Sequence, residues 1–144
     1  MWNPNNHPVK AILLLLLIFS ASCTFDDKKV DCNDINNITI HFLPKEIDPV
    51  MPISDCNYIF KYEPVLKNIT INDRDIICEL ASIINNLKIS TEEAYLDFRI
   101  MVLIENKNGE INHLCIGEND LIVYDGVLMK NETVLFSIID KLLY

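Results

Sequence analysis

The stretch that most constrains the fold is residues 95–105, which is apolar on both faces when read at the two-residue period of a strand. Phe98, Ile100, Val102 and Ile104 occupy one face, and Met101 and Leu103 the other. A strand of this kind must be covered on two sides, so it belongs in the middle of a sheet between two layers. Asn108 and Gly109 follow it, a pair that favours a two-residue type I′ hairpin. That hairpin would set Val102 opposite Cys115 and Leu103 opposite Leu114. Residues 117–120 form a second turn, and residues 121–124 and 127–129 pair around Asp125 and Gly126, another two-residue hairpin signal.

The rest of the chain supplies helices and a strand at the amino-terminal side. Ile38, Ile40 and Phe42 alternate with Thr39 and His41 in a β-branched strand that stops at Pro44. Pro44, Pro49 and Pro52 mark a loop, and residues 58–62 read as a second short strand ended by Pro64. Asn72 is a good helix cap, with Asp73 and Asp75 in the first turn where the dipole favours negative charge. Ile76, Ile77, Leu80, Ile83, Ile84 and Leu87 then lie on one helical stripe, and Cys78 falls about 160° from its centre at 100° per residue. After an Asn131 cap, Val134, Leu135, Ile138, Ile139 and Leu142 form a closing amphipathic helix. The order is strand, possible strand, helix, four-stranded meander, helix: an α+β domain in which an antiparallel sheet packs the long helix on one face. This order is similar to that of cystatin-like folds, and the terminal helix is available to cover the second face of the strand at residues 98–104.

Ahead of the domain, Lys10 precedes residues 11–19, which read AILLLLLIF, the n-region and h-region of a secretory signal. A membrane span needs roughly 20 apolar residues, and this run is shorter than that when Asp26 and Asp27 stop it. Ala21, Ser22 and Cys23 follow, and here the chain resembles the bacterial lipoproteins, whose signal ends in small residues before an obligatory cysteine. Ser20 stands where leucine is usual. The resemblance implies cleavage between Ser22 and Cys23 and acylation of Cys23. Each buried methylene contributes about 0.8 kcal/mol, so two or three chains anchor firmly. Asp26, Asp27, Lys28 and Lys29 look like the charged tether of Bacteroidota surface lipoproteins. Three segments are therefore expected: a signal peptide over 1–22, a lipidated amino terminus and tether over 23–37, and one domain over 38–144.

Loss of residues 1–22 removes Lys10 and no acid, so 11 of the 12 basic side chains stay beside 21 acidic ones, a formal charge of −10. Phosphate recognition needs basic clusters, so nucleic acid is excluded as a partner. With Cys23 assigned to lipid, Cys32, Cys56, Cys78 and Cys115 are an even set in a compartment that permits disulfides. Cys32 with Cys56 would close the proline-rich loop, an effect of about 3 kcal/mol by chain entropy, and is the preferred pair. Its complement, Cys78 with Cys115, is disfavoured because Cys78 points away from a sheet beneath the helix. The remaining pairings set Cys78 against Cys32 or Cys56, and four reduced, buried thiols are the alternative to all three.

Chemistry-bearing residues are few. His41 and His113 both sit in strands without metal-ligand spacing, although His113 would share a face with Cys115 as a thiol–histidine pair. Asp31, Asn33, Asp34, Asn36 and Asn37 have a calcium-loop flavour, but Ile35 interrupts them and no glycine supplies the turn. Glu92, Glu93 and Asp97 are acids at a helix-to-strand junction. There is no GxSxG elbow, phosphate-binding glycine loop or HExxH, hence no catalytic set, metal site or cofactor is expected. The expectation is a non-enzymatic envelope protein, held on the periplasmic or surface side, at the outer membrane, by acyl chains on Cys23. Its domain would bind a protein partner or act as an inhibitor or immunity-type protein, with a Cys115/His113 hydrolase as the remaining alternative.

Overall fold

The computed structural model describes residues 29–144. The signal peptide expected over 1–22, Cys23 and the part of the expected tether up to Lys28 lie outside the described residues. Six strands form one antiparallel sheet: β1 (Ile35–Phe42), β2 (Lys67–Ile71), β3 (Phe98–Asn106), β4 (Ile111–Gly117), β5 (Ile122–Tyr124) and β6 (Val127–Met129). Their order across the sheet is β2-β1-β3-β4-β5-β6. Two α-helices, α1 (Arg74–Ile84) and α2 (Thr133–Leu143), complete an α+β fold with the expected meander from β3 to β6.

Asp73 starts α1 by accepting from the Asp75 and Ile76 backbone N–H groups, one residue beyond the cap expected at Asn72. Glu132 plays the same part for α2 through Val134 N–H, again one residue after the expected Asn131. Both helices lie against the same face of the sheet. Ile77, Leu80 and Ile84 of α1 and Leu135 and Ile139 of α2 join Ile38, Ile40, Val102 and Ile104 in one cluster. Ile38, Ile77, Ile104 and Leu135 are each fully buried, and burial of a side chain of that size contributes about 1.5–3 kcal/mol. The expectation that the terminal helix covers the second face is therefore corrected.

The second face is covered instead by the segment between β1 and β2. Ile53, Cys56 and Ile59 pack there on Leu43, Phe98, Met101 and Cys115. Residues 58–62, expected as a strand, belong to a 3-10 helix (Cys56–Tyr62) whose cap, Asp55, accepts from Asn57 N–H. The carboxylate of Asp97 accepts from Ile53 N–H at 3.0 Å, and Phe98 N–H donates to the Ile53 carbonyl at 2.9 Å. The second strand is β2, where Ile69 and Ile71 pair with Ile40 and Ile38. It was hidden because five residues alternate too briefly to stand out against a polar surround.

Two local departures decide which side chains face which layer. In the β3–β4 hairpin, Asn106 and Glu110 close a three-residue loop, and Gly109 alone takes positive φ (84°), while the Asn108 side chain accepts from Glu110 N–H. The register thus pairs Val102 with Leu114 and Met101 with Cys115, one residue away from the two-residue expectation. At the other end of β3, Phe98 pairs with Gly117 and Ile100 with Ile116, so Arg99 is an extra residue and Phe98 turns to the face of Met101. A Cβ on Gly117 would lie 2.7 Å from the Asp97 carbonyl oxygen, which explains glycine opposite this bulge. By contrast, Asp125 (φ 45°) and Gly126 (φ 82°) form the two-residue turn between β5 and β6 as expected.

The fold reaches back past Ile38. Val30 exchanges two hydrogen bonds with the Asn85 amide, at 2.7 and 2.9 Å, and Ile35 is fully buried, so residues 30–37 belong to the domain and not to the tether. Arg74 adds bonds to the carbonyls of Ile35 and Cys32.

The disulfides are Cys32–Cys78 and Cys56–Cys115. The preferred Cys32–Cys56 pair is overturned, and the pairing of outward-facing Cys78 with the amino-terminal segment is the one that forms. The sequence separations are 46 and 59 residues, for which loop-closure entropy in the unfolded chain gives about 4 kcal/mol each. Peptide mapping without reductant should recover these two linkages. Replacing Cys56 and Cys115 together by Ala should lower the unfolding free energy in urea by about 2–4 kcal/mol.

Candidate functional site

The second face of the sheet is only partly covered, and the uncovered part forms a groove of about 890 Å³. Its floor carries Phe98, Cys115, Val123 and Leu128, with Ile111 half-exposed at the rim. One wall is the turn at residues 54–57, and the other is the irregular segment at residues 92–96. The Cys56–Cys115 bond ties the first wall to the floor, while Asp97, just beyond the second wall, is held at 2.8 Å by Arg99. Arg99 is largely buried and also reaches Glu118 at 3.0 Å, so one guanidinium clamps the start of β3 to the turn after β4.

His113 and Cys115 do share a face, and both line the groove. Cys115 has no free thiol because its sulfur is bonded to Cys56, so the thiol–histidine reading loses its nucleophile. Glu92 and Glu93 line the same groove, whereas Asp97, grouped with them by sequence, turns to Arg99 and Ile53. His41 lies elsewhere, edge-on to Phe60 at 5.0 Å between ring centroids, and burial lowers its pKa below the ordinary histidine value. The amino-terminal acids are also dispersed: Asp31 caps the 3-10 turn Cys32–Asp34, and Asn37 donates to Glu105 at 2.8 Å. Among the described residues there is no group of three or more His, Cys, Asp or Glu side chains able to hold a metal ion.

Sequence reasoning did not reach Asp55, Asp125, Val123 or Leu128 as groove residues. Asp125 carried a turn signal and the two apolar residues carried strand signals, so these three already had a local explanation, whereas Asp55 has a role only through the 3-10 helix it caps. Asp125 accepts from His113 N–H at 2.7 Å and from the Asn112 amide at 2.8 Å, which fixes the β5–β6 turn against β4.

A second cavity, about 670 Å³, opens on the helix side where the chain enters the fold. Val30, Asn85, Ile84, Leu87, Tyr124 and Met129 are among its lining residues. Burial, followed by the nearby Asp125 and Glu110 charges, pushes the Tyr124 phenol up to about 12. The domain therefore favours neutral Tyr124, a contribution that is complete below the ordinary value near 10 and lost as pH rises toward 12. In an ultraviolet phenolate titration Tyr124 should ionise last, and Tyr124→Phe should remove that latest step.

No protein-family model matches the chain, and no curated protein or solved structure matches it.

Proposed function

We propose that this chain is an exported, lipid-anchored binding module of the bacterial envelope, held at the membrane by acyl chains on Cys23 and acting without catalysis of its own. The observation that carries the binding role is the groove, with a disulfide-secured wall, an apolar floor and no free thiol at Cys115. Export is supported by the two disulfides, which persist in oxidising compartments, together with the apolar run before Ala21, Ser22 and Cys23. No helix among the described residues is long and apolar enough to cross a membrane, so on this reading the acyl group supplies the anchorage of the folded domain. Cys23→Ala should abolish fatty-acid labelling of the chain in growing cells, and labelling that survives removes the anchor from the proposal. Crosslinking in living cells should return a protein partner attached at the groove walls.

An inhibitor role is a second reading, favoured by one loop. Between Pro49 and Pro52, Val50 is 100% exposed and Met51 71% exposed, an apolar tip on a proline-stiffened turn. Ile53, 3% exposed, anchors the loop immediately behind it. If this tip enters a protease or toxin cleft, Met51→Asp should abolish inhibition in an envelope protease assay while leaving the thermal midpoint unchanged.

A further inference from the structure

We infer that the groove on the second face takes a cationic, apolar peptide segment: a stretch of another polypeptide in which lysine or arginine side chains alternate with apolar ones. This deepens the binding-module reading and rests on it. Among the described residues four carboxylates line the groove, those of Asp55, Glu92, Glu93 and Asp125, and no lysine or arginine does. Asp55 and Asp125 are held in place by backbone N–H groups, whereas Glu92 and Glu93 are exposed and make no ion pair among the described residues. The rim is thus a one-signed field around an apolar floor, and charge complementarity calls for a ligand with the opposite sign at its edges and apolar groups at its centre.

The shape excludes the main competitors. Phosphorylated or otherwise anionic ligands meet four like charges with no lysine or arginine among the described lining residues to offset them. A small neutral ligand would use the floor and leave Glu92 and Glu93 unengaged. The floor is a sheet face and not a sheet edge, so recognition runs through side chains and not through added strand hydrogen bonds. At about 890 Å³ the space is at the upper end of the roughly 300–1,000 Å³ range of small-molecule pockets, which suits several consecutive side chains.

The test uses the full chain in detergent with its disulfides intact and three fluorescent twelve-residue probes, alternating Lys–Leu, Glu–Leu and Lys–Gly. The Lys–Leu peptide should bind, the other two should bind at least ten-fold more weakly, and raising salt should weaken the complex because the rim is solvent-exposed. Glu92→Lys/Glu93→Lys should reduce Lys–Leu affinity ten-fold or more. Glu46→Lys/Glu79→Lys, the same charge change on exposed residues away from the groove, should leave it within two-fold. Equal loss in both double variants, equal binding of the Glu–Leu peptide, or no binding of the Lys–Leu peptide overturns the inference. If in-cell crosslinking still attaches a protein at the groove walls, the binding module survives that result. If crosslinking also finds none, both fall.

Discussion

Strand β3 is the element on which both layers depend, because it pairs with β1 on one side and β4 on the other and is covered on both faces. Its pairing with β4 has a register set by a three-residue loop, and in a sheet a slip of one residue sends every side chain of the slipped strand to the opposite face. In the register that forms, Leu114 and Ile116 join the helix-covered cluster and Cys115 faces the other way. Only from there can Cys115 reach Cys56. One turn geometry therefore determines a disulfide, the cover of the second face and one wall of the groove.

The two layers are held by different physics. On the helix side the buried cluster is mainly aliphatic, and its stability follows chiefly from burial of Ile, Leu and Val on sheet and helices, with the Cys32–Cys78 bond tying α1 to the amino-terminal segment. On the second face the cover has no strand and only short helical structure, so burial is supplemented by point attachments. These are the Cys56–Cys115 bond, the Asp97 bond to Ile53 N–H, and Arg99 bridging Asp97 and Glu118. A layer attached at points leaves sheet surface uncovered between them, and the groove lies there. The acidic rim follows from the same construction, since Asp55 serves as a helix cap and Asp125 as a turn residue while also charging the groove edges.

Much of the domain was legible before any coordinates. The doubly apolar run of β3, the α1 stripe, the Asp125–Gly126 turn and the closing helix are local patterns, and local periodicity reports which face of an element is buried. The outward position of Cys78 on α1 was equally legible, and it led to the amino-terminal segment as one of its open partners. Less legible were β2, too short to show a period, and residues 58–62, where an Asp55 cap outweighed aromatic β-propensity. The groove was visible only in fragments: His113, Cys115, Glu92 and Glu93 were each notable, but nothing in their spacing joins the β4 pair to the segment before β3.

By itself the sequence determined the class of the fold, the meander and the apolar stripes of both helices, because each of these is written in residues close together along the chain. Tertiary structure alone decided that both helices share one face, that Phe98 turns over at the Arg99 bulge, and that Cys56 meets Cys115. The reason is that these outcomes rest on register and on contacts between segments tens of residues apart. A one-residue difference in a hairpin loop leaves almost no trace in local pattern and yet reverses the face of an entire strand.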